Sequence, residues 1–322
     1  MVGAVVVAGL TACDLPLGLD RPTTRSLESG ATGTLIAADS FEITGSYSEG
    51  SNRWSIDLQR SAPGSEYVTV SAADVKLEAI IIDNNAYFRG QQFLSAHMGS
   101  DIVSRSFVKA AGNGWWKGGS AGHAPQLTDL TDGNVFRATF LGPAITQRTD
   151  HVSVDGVDAV ELSGARGEVF ITAQAPYRVL RVRLKHGVVV DGIRDADLRF
   201  VNYNQDFGIS APADVIDFSN LTTLPPIYTV LSVDTSGCGA RCVVSALLKN
   251  LGGLLHARAP STITFTMTDT ASRQVLGSCQ TQVVPDVGYN ATTRVTCTID
   301  NVSAQQSNAA TVTATPDNPG RG

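Results

Sequence analysis

The feature that most limits what this chain can become is a period-two alternation that persists through residues 41–88. Phe41, Ile43, Gly45 and Tyr47 alternate with polar residues; so do Trp54, Ile56 and Leu58, then Val68 and Val70, then Val75, Leu77, Ala79 and Ile81. An extended chain points successive side chains to opposite faces, so this pattern specifies strands that bury one face only. Such a sheet needs a second layer over its apolar side. Asn84-Asn85 supplies a turn into Ala86-Tyr87-Phe88, because asparagine tolerates the positive φ of tight turns.

A candidate for the covering layer follows directly. Leu94, Met98 and Ile102 fall four residues apart, and Val103, Phe107 and Ala110 extend the stripe, which predicts a helix over 91–111 with a lipophilic face. Gly112-Asn113-Gly114 ends it, and Trp115-Trp116 opens the next extended piece. A second helix is expected over 127–141, interrupted at Gly133, and a weak one over 27–38, interrupted by Gly30 and Gly33. Strands resume at 151–154, 159–163, 167–173, 179–185 and 197–203, with turns at Asp155-Gly156 and Lys185-His186-Gly187. A closing segment, 207–218, leads into Leu221-Thr222-Thr223-Leu224-Pro225-Pro226, which reads as a domain boundary.

With 322 residues, 43% of them hydrophobic, the chain has room for two domains with real cores. Beyond the boundary, 227–316 reads as six or seven short strands separated by turns. That spacing predicts an immunoglobulin-like sandwich, without the tryptophan a true immunoglobulin domain carries. Four of the five cysteines, Cys238, Cys242, Cys279 and Cys297, lie in this part, an even number suited to disulfides in an oxidising compartment. Three pairings are open. Cys238 with Cys242 and Cys279 with Cys297 is favoured, since 279 and 297 sit symmetrically about Gly288 in a hairpin-like stretch. A four-cysteine zinc site is the alternative, and the spacing lacks the paired C-x2-C knuckles it calls for. The net charge of −6 with no basic block argues against nucleic acid or an anionic membrane surface as partner.

The N-terminus bears on location. An apolar run leads into Leu10-Thr11-Ala12-Cys13, the pattern of a bacterial lipobox, in which the Cys13 thiol carries the lipid anchor. A secretory signal has a basic n-region and about 15–30 residues. Here no Lys or Arg precedes Cys13, so the expected start lies upstream within a longer signal. Residues 1–12 are then a truncated signal and 13–28 a tether able to reach about 50 Å. The protein is expected to be exported and lipid-anchored to the outer face of the cell membrane. The alternative is an ordinary buried segment with a stray thiol.

The chemical motifs are weak. Gly118-Gly119-Ser120-Ala121-Gly122 fits a nucleophile elbow, but that motif needs a helix starting at the serine, and Pro125 falls inside it. A loop is the better reading. His97, His123, His151, His186 and His256 share no ligand spacing, and Asp191, Asp195 and Asp197 lack the D-x-D-x-D-G calcium pattern. No catalytic residue, metal or cofactor is expected, and the protein is read as a non-enzyme. Trp54, Trp115 and Trp116 are read first as core, because a large aromatic buries the most area.

Residues 41–218 resemble the LppX and LprG lipoproteins of mycobacteria. The resemblance rests on Tyr67-Val68-Thr69-Val70 through Leu77-Glu78-Ala79-Ile80-Ile81-Ile82, the turn into Ala86-Tyr87-Phe88-Arg89-Gly90, and the helix ending in Gly114-Trp115-Trp116-Lys117. Further matches are Val154-Asp155-Gly156-Val157-Asp158-Ala159-Val160-Glu161-Leu162, Val169-Phe170-Ile171, Pro176-Tyr177-Arg178-Val179 and Asp206-Phe207-Gly208. The chain departs from the family at Ala72-Ala73 and Asn84-Asn85, where glycine-rich turns are usual, and in the added sandwich. The resemblance implies a LolA-like antiparallel half-barrel with helices, whose apolar cavity holds a lipid or glycolipid. The expected organisation is α+β and all-β: half-barrel 29–220, proline-rich linker 221–226, sandwich 227–316 and disordered tail 317–322. Candidate cavity residues are Ile43, Trp54, Ile56, Leu77, Ile81, Phe88, Leu94, Met98, Ile102 and Trp116. The alternative is a structural or adhesive envelope protein with a filled core, contacting an envelope partner through its sandwich.

Overall fold

A computed structural model describes residues 21–61, 64–83, 85–97, 102–119, 127–142, 145–217, 219–239, 241–255, 257–300 and 302–321. The fold is mostly β. Helix α1 (Thr24–Ala37) precedes five strands, β1 (Ser40–Glu49), β2 (Asn52–Ser61), β3 (Ser65–Ala72), β4 (Val75–Ile82) and β5 (Asn85–Arg89). Helices α2 (Gln91–His97) and α3 (Ile102–Ala111) lead to β6 (Trp115–Gly119), and α4 (Thr128–Thr131) and α5 (Gly133–Phe140) lead to β7 (Ile145–Val154), β8 (Val157–Gly164), β9 (Gly167–Thr172) and β10 (Val179–Leu184). Then come β11 (Val189–Val190), β12 (Ile193–Val201) and β13 (Val215–Asp217). The C-terminal part holds β14 (Tyr228–Cys238), β15 (Cys242–Asn250), β16 (Thr262–Asp269), β17 (Val275–Gln282), β18 (Thr292–Ile299), α6 (Ala304–Asn308) and β19 (Ala310–Asp317). The stripe expected as one helix over 91–111 is described as α2 and α3, with 98–101 outside the described residues.

One compact unit comprises the described part of Met1–Ala37 with Thr128–Lys185. Its strands form an antiparallel series in the order β10-β9-β8-β7. Helix α1 packs on α5, and Gly133 permits the approach, since a Cβ there would sit 2.7 Å from Ile36 Cγ1. The interruption expected at Gly133 is the first residue of α5. Asp132 caps it, accepting hydrogen bonds from the Asn134 and Val135 amides at 2.8 and 3.0 Å.

The second unit comprises Ala38–Leu127 with His186–Gly322. Its larger sheet runs β13-β6-β5-β4-β3-β2-β1-β12, with β11 on β12. The pairs are antiparallel except β13, which runs parallel to β6. Gly45 is needed where β1 meets β12: its φ is +152° and an added Cβ would fall 2.1 Å from the Asp197 carbonyl oxygen.

The same unit carries two three-stranded antiparallel sheets, β14-β15-β18 and β17-β16-β19. Alternate residues of both, including Val244, Ala246, Leu248, Ile263, Phe265 and Met267, form one apolar core. Cys238 and Cys242 pair across the β14–β15 hairpin, while Cys279 on β17 and Cys297 on β18 join one sheet to the other. The cysteines thus lie at bonding distance in the favoured pairing. Converting Cys279 and Cys297 to serine reopens a loop of sequence separation 18. By the chain-entropy relation this should cost about 3 kcal/mol. Equal denaturant midpoints for oxidised wild type and the double serine variant would contradict this.

Two expectations about the ends of this part are corrected. The 221–226 stretch, read as a linker, is packed: Leu224, Pro225, Pro226 and Ile227 are buried, with Leu251 N–H bonding Ile227 O at 2.8 Å and Gly253 N–H bonding Leu224 O at 2.9 Å. Residues 317–321, expected to be disordered, are held. Asn318 bonds both backbone groups of Tyr228, and Arg321 N–H bonds Ala110 O at 2.8 Å while its guanidinium meets Asp214. Sequence polarity suggested fraying, but these polar groups have backbone partners waiting.

Candidate functional site

The register of the larger sheet decides which side chains share a face. Direct pairing places Phe200, Ile43, Leu58, Val68, Ala79, Phe88 and Trp116 in one row across β12, β1, β2, β3, β4, β5 and β6. The neighbouring row on that face is Leu198, Gly45, Ile56, Val70 and Leu77, and Ile81 lies in the row on the other side. Trp54 opposes Tyr47 two residues further along. All seven strand residues nominated as cavity lining therefore point to one apolar face, as period-two alternation dictates.

Helices cover part of this face. The Phe93 ring of α2 meets Trp54 edge-on at 5.8 Å. On the β6 side, Trp116 joins Val108, Ala110 and Ala111 of α3 in a cluster closed by Ile216, Leu224 and Ile227, with Leu94 and Phe107 partly buried against it. The face is not uniform. Ile43 is completely buried, with Phe41 and Phe200 of its own sheet 5.9 Å apart beside it. Ile81 and Phe88 are also buried, at 8% and 7% exposure, while Phe93 and Leu94 of α2 are only half-buried. Of the nominated residues, Cys13 and Met98 lie outside the described residues, as does the Ile102 side chain. Ser120, His123 and His256 also fall there.

One polar pair interrupts the apolar face. Arg60 and Glu66 oppose each other between Phe41 and Ile81, and the Arg60 guanidinium lies over the Phe41 ring at 5.4 Å. Burial raises the Glu66 carboxyl and Arg60 partly offsets that.

The opposite face carries polar groups that sequence reading passed over. Glu78 accepts from Arg89 Nε and Nη2 at 2.9 and 2.8 Å and from the Tyr67 hydroxyl at 2.5 Å, and Arg89 also lies 4.6 Å over the Trp115 ring. Burial would raise the Glu78 carboxyl, but the hydrogen bonds from Arg89 and Tyr67 hold it below the usual range. Glu42 is nearly buried and accepts from the Asn202 side-chain amide. The signal was present: Glu42 and Glu78 occupy the alternate positions of strands whose other residues are apolar, so they had to face away from the lining.

The described residues hold no group of three or more His, Cys, Asp or Glu side chains placed to bind a metal. No helix among them is long and apolar enough to cross a membrane. No family model and no curated protein matches the chain.

Proposed function

We propose that this is an exported lipoprotein of the LppX/LprG kind, whose larger sheet is the core of a LolA-like half-barrel and takes the acyl chain of a lipid or glycolipid between that sheet and α2. The observation that carries this reading is the single apolar face spanning β12 to β6, against which α2 sets Phe93 on Trp54 and Leu94 by Trp116, both only half-buried. Burial of methylenes drives binding at about 0.8 kcal/mol each. Helix α2 is short and its Phe93 and Leu94 stay half-buried, so displacing it exposes the face to an entering chain at modest cost. Cys13 supplies the membrane anchor, the C-terminal sheets form an immunoglobulin-like sandwich that contacts an envelope partner, and the protein performs no chemistry.

The test is native mass spectrometry of the full chain after exposure to phospholipid, beside Leu94→Trp, which enlarges the α2 side chain set against the Trp116 cluster and would block an acyl chain there. The reading expects a bound lipid mass in the wild type and its loss in the variant, with unchanged circular dichroism. Equal loading of both would place the ligand elsewhere. A second reading, a structural or adhesive envelope protein, is favoured by the complete burial of Ile43 and the protein-filled cluster around Trp116. It expects no bound mass in either protein.

A further inference from the structure

The rim of the apolar face carries two opposite charges. Arg60 on β2 and Glu66 on β3 oppose each other in a row that runs Phe41, Arg60, Glu66, Ile81 and Ala86 across β1 to β5. It is the last row on that face before the strand ends at Ser61, Ser65 and Ile82. Opposed residues on neighbouring strands stand about 5 Å apart at Cβ. Even so, among the described residues neither side chain has a hydrogen bond or an ion pair, with the other or with a third group. Both are half-buried, so each has lost part of its hydration without a partner in exchange.

The surroundings favour a ligand that brings both charges. The Arg60 guanidinium lies over the Phe41 ring at 5.4 Å, a contact that steadies it and leaves its hydrogen-bond donors available. Burial raises the Glu66 carboxyl and Arg60 offsets this only in part, so an ammonium beside the carboxylate supplies charge that the site lacks. A lone anion would suit Arg60 and repel Glu66, and a lone cation would do the reverse. Position along the strands fits a lipid. Trp54, which meets Phe93 of α2, lies six residues before Arg60 on β2, about 20 Å along a strand. That is the reach of an extended acyl chain, so a tail lying under α2 places its headgroup at this row.

We infer that Arg60 and Glu66 seat the headgroup of a zwitterionic phospholipid of the phosphoethanolamine type, Arg60 donating to the phosphate and Glu66 accepting from the ammonium. This rests on the acyl-chain reading above and names the class of lipid. The planar guanidinium matches two phosphate oxygens at once, and the ammonium lies one short linker away, within reach of the facing strand.

The experiment is native mass spectrometry of the full chain offered an equimolar mixture of palmitoyl-oleoyl phosphatidylethanolamine, phosphatidylglycerol and diacylglycerol, which share their tails and differ at the head. Wild type should enrich phosphatidylethanolamine about tenfold over diacylglycerol, the scale of one hydrogen bond to a charged group, and several-fold over phosphatidylglycerol. Arg60→Gln should load all three alike. Glu66→Gln should lose the preference over phosphatidylglycerol and keep that over diacylglycerol. Equal loading of the three lipids by wild type, or an unchanged preference in Arg60→Gln, would overturn the headgroup seat and leave the acyl-chain reading standing. Absence of any bound lipid would remove both. Free phosphoethanolamine at the same concentration should leave the lipid in place, and displacement by it would reassign the pair to a soluble phosphate ester. If Arg60→Gln folds poorly, the wild-type preference and Glu66→Gln still decide.

Discussion

Asn250→Ala is expected to lower stability by about 3–5 kcal/mol, the largest effect of any single polar substitution considered. The side chain is wholly buried and uses its full hydrogen-bonding capacity. Its Oδ1 accepts from the Ile227 and Gly252 amides, each at 2.9 Å, and its Nδ2 donates to the Gly253 and Val287 carbonyls at 3.0 and 2.6 Å. One residue thus fixes the entry to β14, the turn after β15 and the loop between β17 and β18. Alanine would leave two donors and two acceptors without partners in a dry site, each costing about 1 kcal/mol or more. Chemical denaturation reads the effect, and a loss below about 1 kcal/mol would show that water or a shifted backbone replaces the amide.

Gly45→Val should be comparably severe, at about 3 kcal/mol or more. Its Cβ would fall 2.1 Å from the Asp197 carbonyl oxygen and 3.0 Å from the Leu198 Cα, both backbone atoms, at a φ of +152° that a β-branched residue avoids. Relief requires β1 and β12 to part, which breaks the register of Ile43 with Phe200. Gly33→Ala is the control. It lies inside α1 with nothing within 4 Å of its Cβ, so it should stabilise by about 0.5–1 kcal/mol. If the two variants unfold at the same denaturant concentration, close approach at Gly45 is not what holds these strands together.

The strands were legible because their period is short. Alternation at Ile43, Ile56, Leu77 and Phe88 fixes a face without knowledge of any partner, and pairing then aligns those residues in rows. Long-range assembly left weaker traces. Nothing local in Val215-Ile216-Asp217 announces a parallel pairing with Trp115-Trp116-Lys117, since that depends on where the chain returns. Polar C-terminal residues looked free because a sequence does not reveal that Tyr228 and Ala110 offer backbone groups to Asn318 and Arg321. Phe93 was missed for another reason. It lies off the four-residue stripe of Leu94, yet its ring reaches Trp54.

The central claim is that the apolar face under α2 binds an acyl chain, and native mass spectrometry of the full chain purified from an actinobacterial host tests it most directly. The account predicts a protein carrying an extra mass that disappears on denaturation and is recovered as lipid by solvent extraction. A bare protein mass, unchanged after incubation with phospholipid vesicles, would contradict it and turn attention to the C-terminal sheets as the working surface.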